Sequence, residues 1–382
     1  MKQLLIVAVA LASVNVFASR ARMIALGNSA HLIDTQTVLS NPADIMMMGD
    51  YANFESGLQN TETQVADCDP VTAGLQPCNN NLQYGNNEGS ISRSMGMSKL
   101  GLAIGFQSKN ASVWGLRNLS LTGISGIKSQ QNPVNLTWGM KMDEMNLGAT
   151  LVYSNYNDKA ADIKESSSGV RLGMRMGMWD AKLGVGLGNT FSNSNNKFKG
   201  TTGISGGAGY MMDGTYFNGA FETAGFKTED GAGTEKIKYN ASNFTFGALN
   251  THKMEASELF YGIALSNTVS KSEVIATGVE TKTTTSALPI TLGMEVDAAT
   301  WMTLRGSIKQ STLINSKKVE ASGSTSSETG PDLNNTVASV GAGLKFNKLT
   351  VDGTLQGLTG GAATQELNGN KLLGTVGVTY MF

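Results

Sequence analysis

Ten charged residues fall on the polar side of segments in which apolar and polar residues alternate: Lys141, Arg171, Arg175, Lys182, Arg305, Lys309 and Lys345 against Glu222, Glu295 and Asp352. A wall lined this way has a positive bias, and rings of basic side chains favour the passage of anions. The same charges have an alternative role, which is to solvate a wet interior or to pair across strands. Other chemistry is poorly supplied. His31 and His252 lie far apart in sequence, and no arrangement of nucleophile, base and acid is recognisable. Gly206-Gly207 and Gly360-Gly361 fall in strand-like or loop context, not between a strand and a helix, so neither reads as a phosphate cradle. No catalytic residue, metal or cofactor is expected. The net charge of -1 excludes a strongly basic nucleic-acid binder.

The elements that would position these charges are strands. At the C-terminus, Val376, Val378, Tyr380 and Phe382 alternate with Gly374, Gly377, Thr379 and Met381 in a loose period of two. One face of such a strand suits lipid and the other a polar interior. Leu100, Leu102, Ile104 and Phe106 oppose Gly101, Ala103, Gly105 and Gln107. Val134, Leu136, Trp138 and Met140 oppose Asn135, Thr137, Gly139 and Lys141, and Val170, Leu172, Met174, Met176 and Met178 oppose Arg171, Gly173, Arg175 and Gly177. The abundance of glycine (46) over proline (6) fits the same wall.

Tight turns are expected at Ser98-Lys99, Asp143-Glu144-Met145, Trp179-Asp180, Asp213-Gly214, His252 to Ser257, Asp297 to Thr300 and Asn347-Lys348. Long polar loops are expected at 59-86, 108-132, 157-167, 191-199, 228-236, 269-286, 313-334 and 359-371. Together they predict an all-β fold, a transmembrane antiparallel β-barrel of about 16 strands over residues 50-382, with both chain ends on the periplasmic, short-turn side. Proline agrees, since Pro133 and Pro289 sit at strand entries and Pro70, Pro77 and Pro331 in loops.

The first eighteen residues read as a secretory signal peptide, with Lys2, an apolar run from Leu4 to Val14, and Val16-Phe17-Ala18 before a cleavage point at Ser19. The run is too short for a membrane-spanning helix. In an exported chain, Cys68 and Cys78 read as a disulfide closing the first long loop. The second long loop, with Val113, Trp114, Leu116, Leu119, Leu121, Ile124 and Ile127, is too apolar to stay free; it folds into the lumen or docks on a neighbouring subunit. Arg93 shares the lipid-facing register of Ile91, Met95 and Met97, where a midplane charge would cost about 2-4 kcal/mol. Either a bulge near Gly96 shifts the register or that strand faces another subunit. Many of the 19 methionines fall on the lipid face, as ordinary lipid contacts or as contacts with protein or unusual lipid.

Residues 19-49 form an N-terminal periplasmic or plug segment, longer than a barrel needs. It reads Ala25-Leu26-Gly27-Asn28, His31-Leu32-Ile33-Asp34, Thr37 and Asn41-Pro42-Ala43. That arrangement resembles the start of fatty-acid-transporter-like outer-membrane proteins, in which a comparable stretch packs as a hatch in the barrel. With the Met48-Gly49-Asp50 that follows, it is also similar to the major porin-like outer-membrane proteins of predatory bacteria. That resemblance implies an oligomeric ring enclosing lipid, and so gives Arg93 and the methionines a home at subunit and lipid contacts. The ending Val376, Val378, Tyr380 and Phe382 resembles the signal read by barrel-insertion machinery. The expected partners are therefore outer-membrane lipid, further copies of the chain as a homo-oligomer, the barrel-assembly machinery and small solutes. Three readings follow: passive diffusion of small solutes with weak anion preference, a lipid-enclosing structural assembly with little conductance, and hatch-gated uptake of hydrophobic compounds. A run of buried apolar side chains leading inward from the loops would favour the third.

Overall fold

The computed structural model describes residues 19-58, 85-106, 132-160, 162-192, 194, 196-311, 316-321, 324-329, 336-359 and 372-382. Cys68, Cys78 and the apolar stretch 113-127 lie outside the described residues.

Alternation of side chains carries the wall. Leu100, Leu102, Ile104, Leu136, Leu151, Leu172, Leu183, Ile263, Leu292, Leu304 and Val376 point outward and are exposed, while Thr137, Thr150, Arg171, Thr303, Arg305, Asp352 and Thr379 point inward and are buried. Period two places each set on one face. The outer face is therefore the apolar one, as a wall in contact with lipid requires.

Twenty strand segments form sixteen staves, because four staves are each made of two consecutive segments: Asn196–Gly200 with Gly203–Met212, Val279–Ala287 with Pro289–Ala299, Met302–Ser311 with Ser316–Ala321, and Ser324–Thr329 with Thr336–Phe346. Pairing is antiparallel throughout. The first strand, Tyr51–Leu58, pairs with both Gly85–Met95 and the last strand, Leu372–Met381, so the sheet closes on itself. The expectation of about sixteen strands is met.

Two of the seven short turns, at 96-97 and 177-178, sit two residues before their expected places, whereas 143-144, 213-214, 255-256 and 347-348 lie where the sequence suggests and 300-301 overlaps the end of the expected Asp297 to Thr300. Backbone conformation decides the difference. Gly96 and Gly177 take φ of +65 and +56, and Asp143, Asp213 and Asn347 take φ near +50, the left-handed region that a two-residue hairpin turn demands. The charged pairs beside the first two turns are strand residues instead.

Several expected loops are extended strands. Thr215–Asp230, Glu235–Met254 and Ser257–Val274 run 16, 20 and 18 residues, leaving connections only at 231-234 and 275-278 of the expected loops 228-236 and 269-286. The loops expected at 157-167 and 191-199 shrink in the same way. Beyond the lipid both faces meet water, so apolar alternation disappears while the Thr- and Ser-rich chain keeps its ladder.

Arg93 needs no bulge. The pairing of Gly85–Met95 with Ser98–Ile104 is regular and Arg93 faces outward, but it lies next to the short turn, at the rim. There its guanidinium is 3.9 Å from Asp50 and 5.5 Å above the ring of Phe382.

Candidate functional site

The interior is where the sequence places its conspicuous charges, and residues 19-49 fill it. The short helix Arg20–Ala25 is followed by Gly27 and Asn28 with φ of +67 and +52, which reverse the chain. Asn41 then caps the 3-10 helix Pro42–Met47, its side chain accepting from the Ala43 N–H at 3.2 Å, with Pro42 at the first position.

Inner-face glycines make the seat. A Cβ on Gly148 would overlap the Pro42-Ala43 backbone, and one on Gly173 would meet the Asn41 side chain. Gly101 and Gly139 accommodate Ile45, Gly341 accommodates Ala25, and Gly377 accommodates Ser19. Two apolar clusters complete the fit. Met23, Leu26 and Leu32 pack on Leu249 and Phe260 of the wall, and Val38, Ile45 and Met48 pack with Tyr51. Each such side chain is worth roughly 1.5-3 kcal/mol when fully buried.

Ion pairs tie the segment to widely separated strands. Arg20 Nη1 lies 2.6 Å from Glu88, and the Arg20 backbone N–H donates to Glu55 at 2.8 Å. Arg22 donates to both oxygens of Glu295, at 3.0 and 3.2 Å, and to Asp34 at 3.3 Å. Arg305 donates to Glu295 and to Asp352, both at 2.5 Å, and the Ser19 hydroxyl donates to Asp352 at 3.3 Å. Asp44 pairs with Arg175, whose other partner, Asp180, is 3.7 Å away. His31 faces Glu258 at 3.3 Å and Phe260 at 5.0 Å between ring centres. Lys99, almost wholly buried, donates to the Met48 carbonyl at 2.7 Å.

Of the ten charges expected on the polar face, Arg175, Glu295, Arg305 and Asp352 belong to this network. Arg171 is buried on the inner face, Glu222 and Lys182 are half-buried there, and Lys345 pairs with Asp297 at 3.1 Å. Lys141 and Lys309 are exposed. The sequence reading missed Arg20, Arg22, Asp34, Asp44, Glu55, Glu88 and Lys99. Glu55, Glu88 and Lys99 stand at alternate, inward positions of the first three strands and were legible by the same period of two.

A second feature lies at the far end from the short turns. Phe191, Phe198 and Phe226 are buried side by side on adjacent staves, with Ile163 and Tyr239 packed on them. Phe198 stacks on Phe226 at 4.7 Å and Phe226 on Tyr239 at 5.0 Å. Between these rings and the Leu249–Phe260 cluster, the inward positions are mostly small or polar: Ala220, Ala224, Ala241, Gly247, Gly262 and Ala264 beside Asn218, Glu222 and Asn243. Next to the aromatic group the ladder between these two staves is interrupted, since Gly186 pairs with Gly203 and Thr190 with Lys199 while 187-189 and 200-202 do not pair with each other.

No protein-family model matches the chain, and no curated protein matches it in sequence. Among solved structures it is similar to the toluene transporter TbuX of Ralstonia pickettii, with 12% identity, 96% of this chain and 99% of that chain covered, and a TM-score of 0.42. It is similar to a FadL homologue of Pseudomonas aeruginosa, with 14% identity, coverage of 96% and 98%, and a TM-score of 0.41. It is also similar to a porin of Rh. blastica, with 9% identity, coverage of 87% and 99%, and a TM-score of 0.31. Likeness at this level is shared by hydrophobic-compound transporters and porins alike, and does not choose between them.

Proposed function

We propose that this chain is a bacterial outer-membrane barrel in which residues 19-49 act as a plug, and that it admits small hydrophobic or amphipathic compounds when the plug moves. The observation that carries this reading is the seat itself. One continuous segment is held at Glu88, Arg175, Glu258, Glu295 and Asp352, positions spread around the wall, and enters glycine notches on six strands. A sixteen-strand barrel otherwise leaves an aqueous channel. The aromatic group at the loop end supports the reading as a buried apolar surface at the mouth, and the small and polar side chains below it leave room for a solute.

The test is single-channel conductance of the full mature chain against a chain lacking residues 19-49, each shown to be folded. The expected result is a full chain that is nearly silent and a shortened one that opens in discrete steps. A full chain that already conducts as the shortened one does would overturn the plug. It would favour the second reading, an open porin with weak anion preference, for which Lys141, Lys182 and Lys309 outside the ion-pair network are the support.

A further inference from the structure

Beyond the apolar band, the extended staves carry lysines on their outer face, and most of these are matched by carboxylates on the next strand. Lys227, Lys271 and Lys282 pair with Glu235, Glu280 and Glu320 at 2.6, 3.0 and 3.3 Å. One stretch of the wall departs from this balance. Across Met145–Asp158, Ile163–Met176, Trp179–Ser192 and Asn196–Gly200, the register sets Asn157, Lys164, Ser192 and Lys197 side by side in one row, and Asn155, Ser166, Thr190 and Lys199 in the next. These side chains face outward, since the alternate residues Glu165, Phe191 and Phe198 are buried on the inner face. Neither Lys164 nor Lys197 has an ion-pair partner among the described residues, and Glu229, opposite Lys197, is taken by Lys199 at 2.7 Å. Strands lie about 4.8 Å apart and rise about 3.4 Å per residue, so the backbones of Lys164 and Lys197 are about 10 Å apart with Ser192 between them, and Lys199 is about 7 Å along from Lys197. Ammonium groups on flexible four-carbon stems can converge across such a gap. A cavity of about 400 Å³ opens here, lined by the two rows and the residues between them.

We propose that these two rows are a docking site for an acidic glycolipid of the outer leaflet. Its phosphate or carboxylate sits among Lys164, Lys197 and Lys199, and its sugar hydroxyls meet Asn155, Asn157 and Thr190. Basic residues at this level attract acidic headgroups. A lipid is the occupant because of what lies next to the site. Two residues from Asn155 and three from Thr190, towards the short turns, the outer face becomes apolar: Tyr153 and Leu187 are exposed, with Leu151 and Leu183 following them. The Asn155 side chain donates to the Tyr153 hydroxyl at 3.1 Å, and tyrosine at such a position marks the membrane–water interface. With the short turns on the periplasmic side, the rows stand at the height of outer-leaflet headgroups, and acyl chains can run down the wall below them. The site is outside the barrel, off the path of a solute, and involves none of residues 19-49, so it stands independently of the plug.

The test uses the folded full mature chain in a nonionic detergent, with bisphosphorylated lipid A as the probe and native mass spectrometry as the readout. The parent is expected to hold the lipid, and Lys164→Ser/Lys197→Ser to bind it about tenfold or more weakly, the effect of removing two basic residues from an acidic surface. Lys271→Ser/Lys282→Ser, which changes the same band where the lysines are matched, is expected to bind as the parent does. No loss in the first pair, or an equal loss in both, overturns the site. Two further arms separate the sources of the acidic group. Inorganic phosphate in large excess should leave the lipid bound, and lipid A stripped of its phosphates should bind more weakly than the intact lipid. Displacement by phosphate would make this a site for free anions, and equal binding of the stripped lipid would make it an apolar contact alone; either result overturns the proposal. Acetylation of the parent gives a measurement that needs no variant. Lipid A should slow the modification of Lys164 and Lys197 while leaving the exposed Lys253, at the short-turn end, unchanged. Unprotected Lys164 and Lys197 would overturn the proposal as well.

Discussion

Arg22 joins the two sides of the interior, because one guanidinium holds Asp34 of its own segment and both oxygens of Glu295 on the wall. Removing one member of a buried pair leaves the other charge unsatisfied and costs about 3-5 kcal/mol; Glu295 keeps a quarter of its side chain in water, which argues for the lower end. Arg22→Ala is therefore expected to shift the plug by about 3 kcal/mol towards release, read as a conducting barrel of unchanged thermal stability; a variant as silent as the parent would contradict it. Asp34 supplies a pH dependence. Burial raises its carboxyl to about 7, with Arg22 and Thr35 opposing and Asp352 adding to the rise, and Tyr51 of the first strand also faces it. The released segment has an ordinary carboxylate near 3.9, so the seated form binds the extra proton. That contribution is complete below about pH 4 and is lost as pH rises through about 7. Conductance should then be greater at about pH 8 than at about pH 5.5, and Asp34→Asn should flatten the profile. A flat profile in the parent would remove Asp34 from the mechanism.

At the scale of elements, the wall and the plug were written in the same strands. The outward positions of Val134–Met142 and of 170-176 are apolar, while glycine stands among polar residues at their inward positions, and Gly139 and Gly173 there receive Ile45 and the Asn41 side chain, with Gly148 of the intervening strand receiving the Pro42-Ala43 backbone. Gly148→Val is expected to leave the strand ladder intact while its side chain collides with the Pro42-Ala43 backbone. An overpacked site costs about 1-3 kcal/mol, enough to move the ratio of open to closed barrels by about five- to 150-fold. Folding by heat-dependent gel mobility and opening by conductance measure the two effects separately, and a closed Gly148→Val barrel would show that the seat is not tight. The alternation in the sequence revealed the outward face at once. It did not reveal the use of the glycines, because an empty inward position looks the same whether it lines water or a docked segment.

For the whole molecule, closure depends on the last strand. Leu372–Met381 pairs on both sides, with Tyr51–Leu58 and with Leu349–Thr359, and the Phe382 N–H donates to the Asp50 carbonyl at 3.1 Å, where Arg93 lies over its ring. Its loss would leave two open edges. Phe382→Ala removes only a rim contact, worth about 0.5-1 kcal/mol for the cation–π term, and should refold in detergent as the parent does. In cells the same variant should accumulate several-fold less folded barrel, because the residue is proposed to be read by the assembly machinery. Equal amounts in cells would confine Phe382 to the rim.

The sequence by itself determined the class of this protein. A period of two, glycine and aspartate at tight turns, and polar stretches between them fix the number of staves and which face is apolar, because both follow from local geometry repeated along the chain. Only the tertiary structure decided what the interior is. Glu55, Glu88, Glu295 and Asp352 are separated from Arg20 and Arg22 by tens to hundreds of residues, and their meeting depends on a barrel closed around the N-terminal segment, a consequence of curvature and closure that no short window of sequence contains.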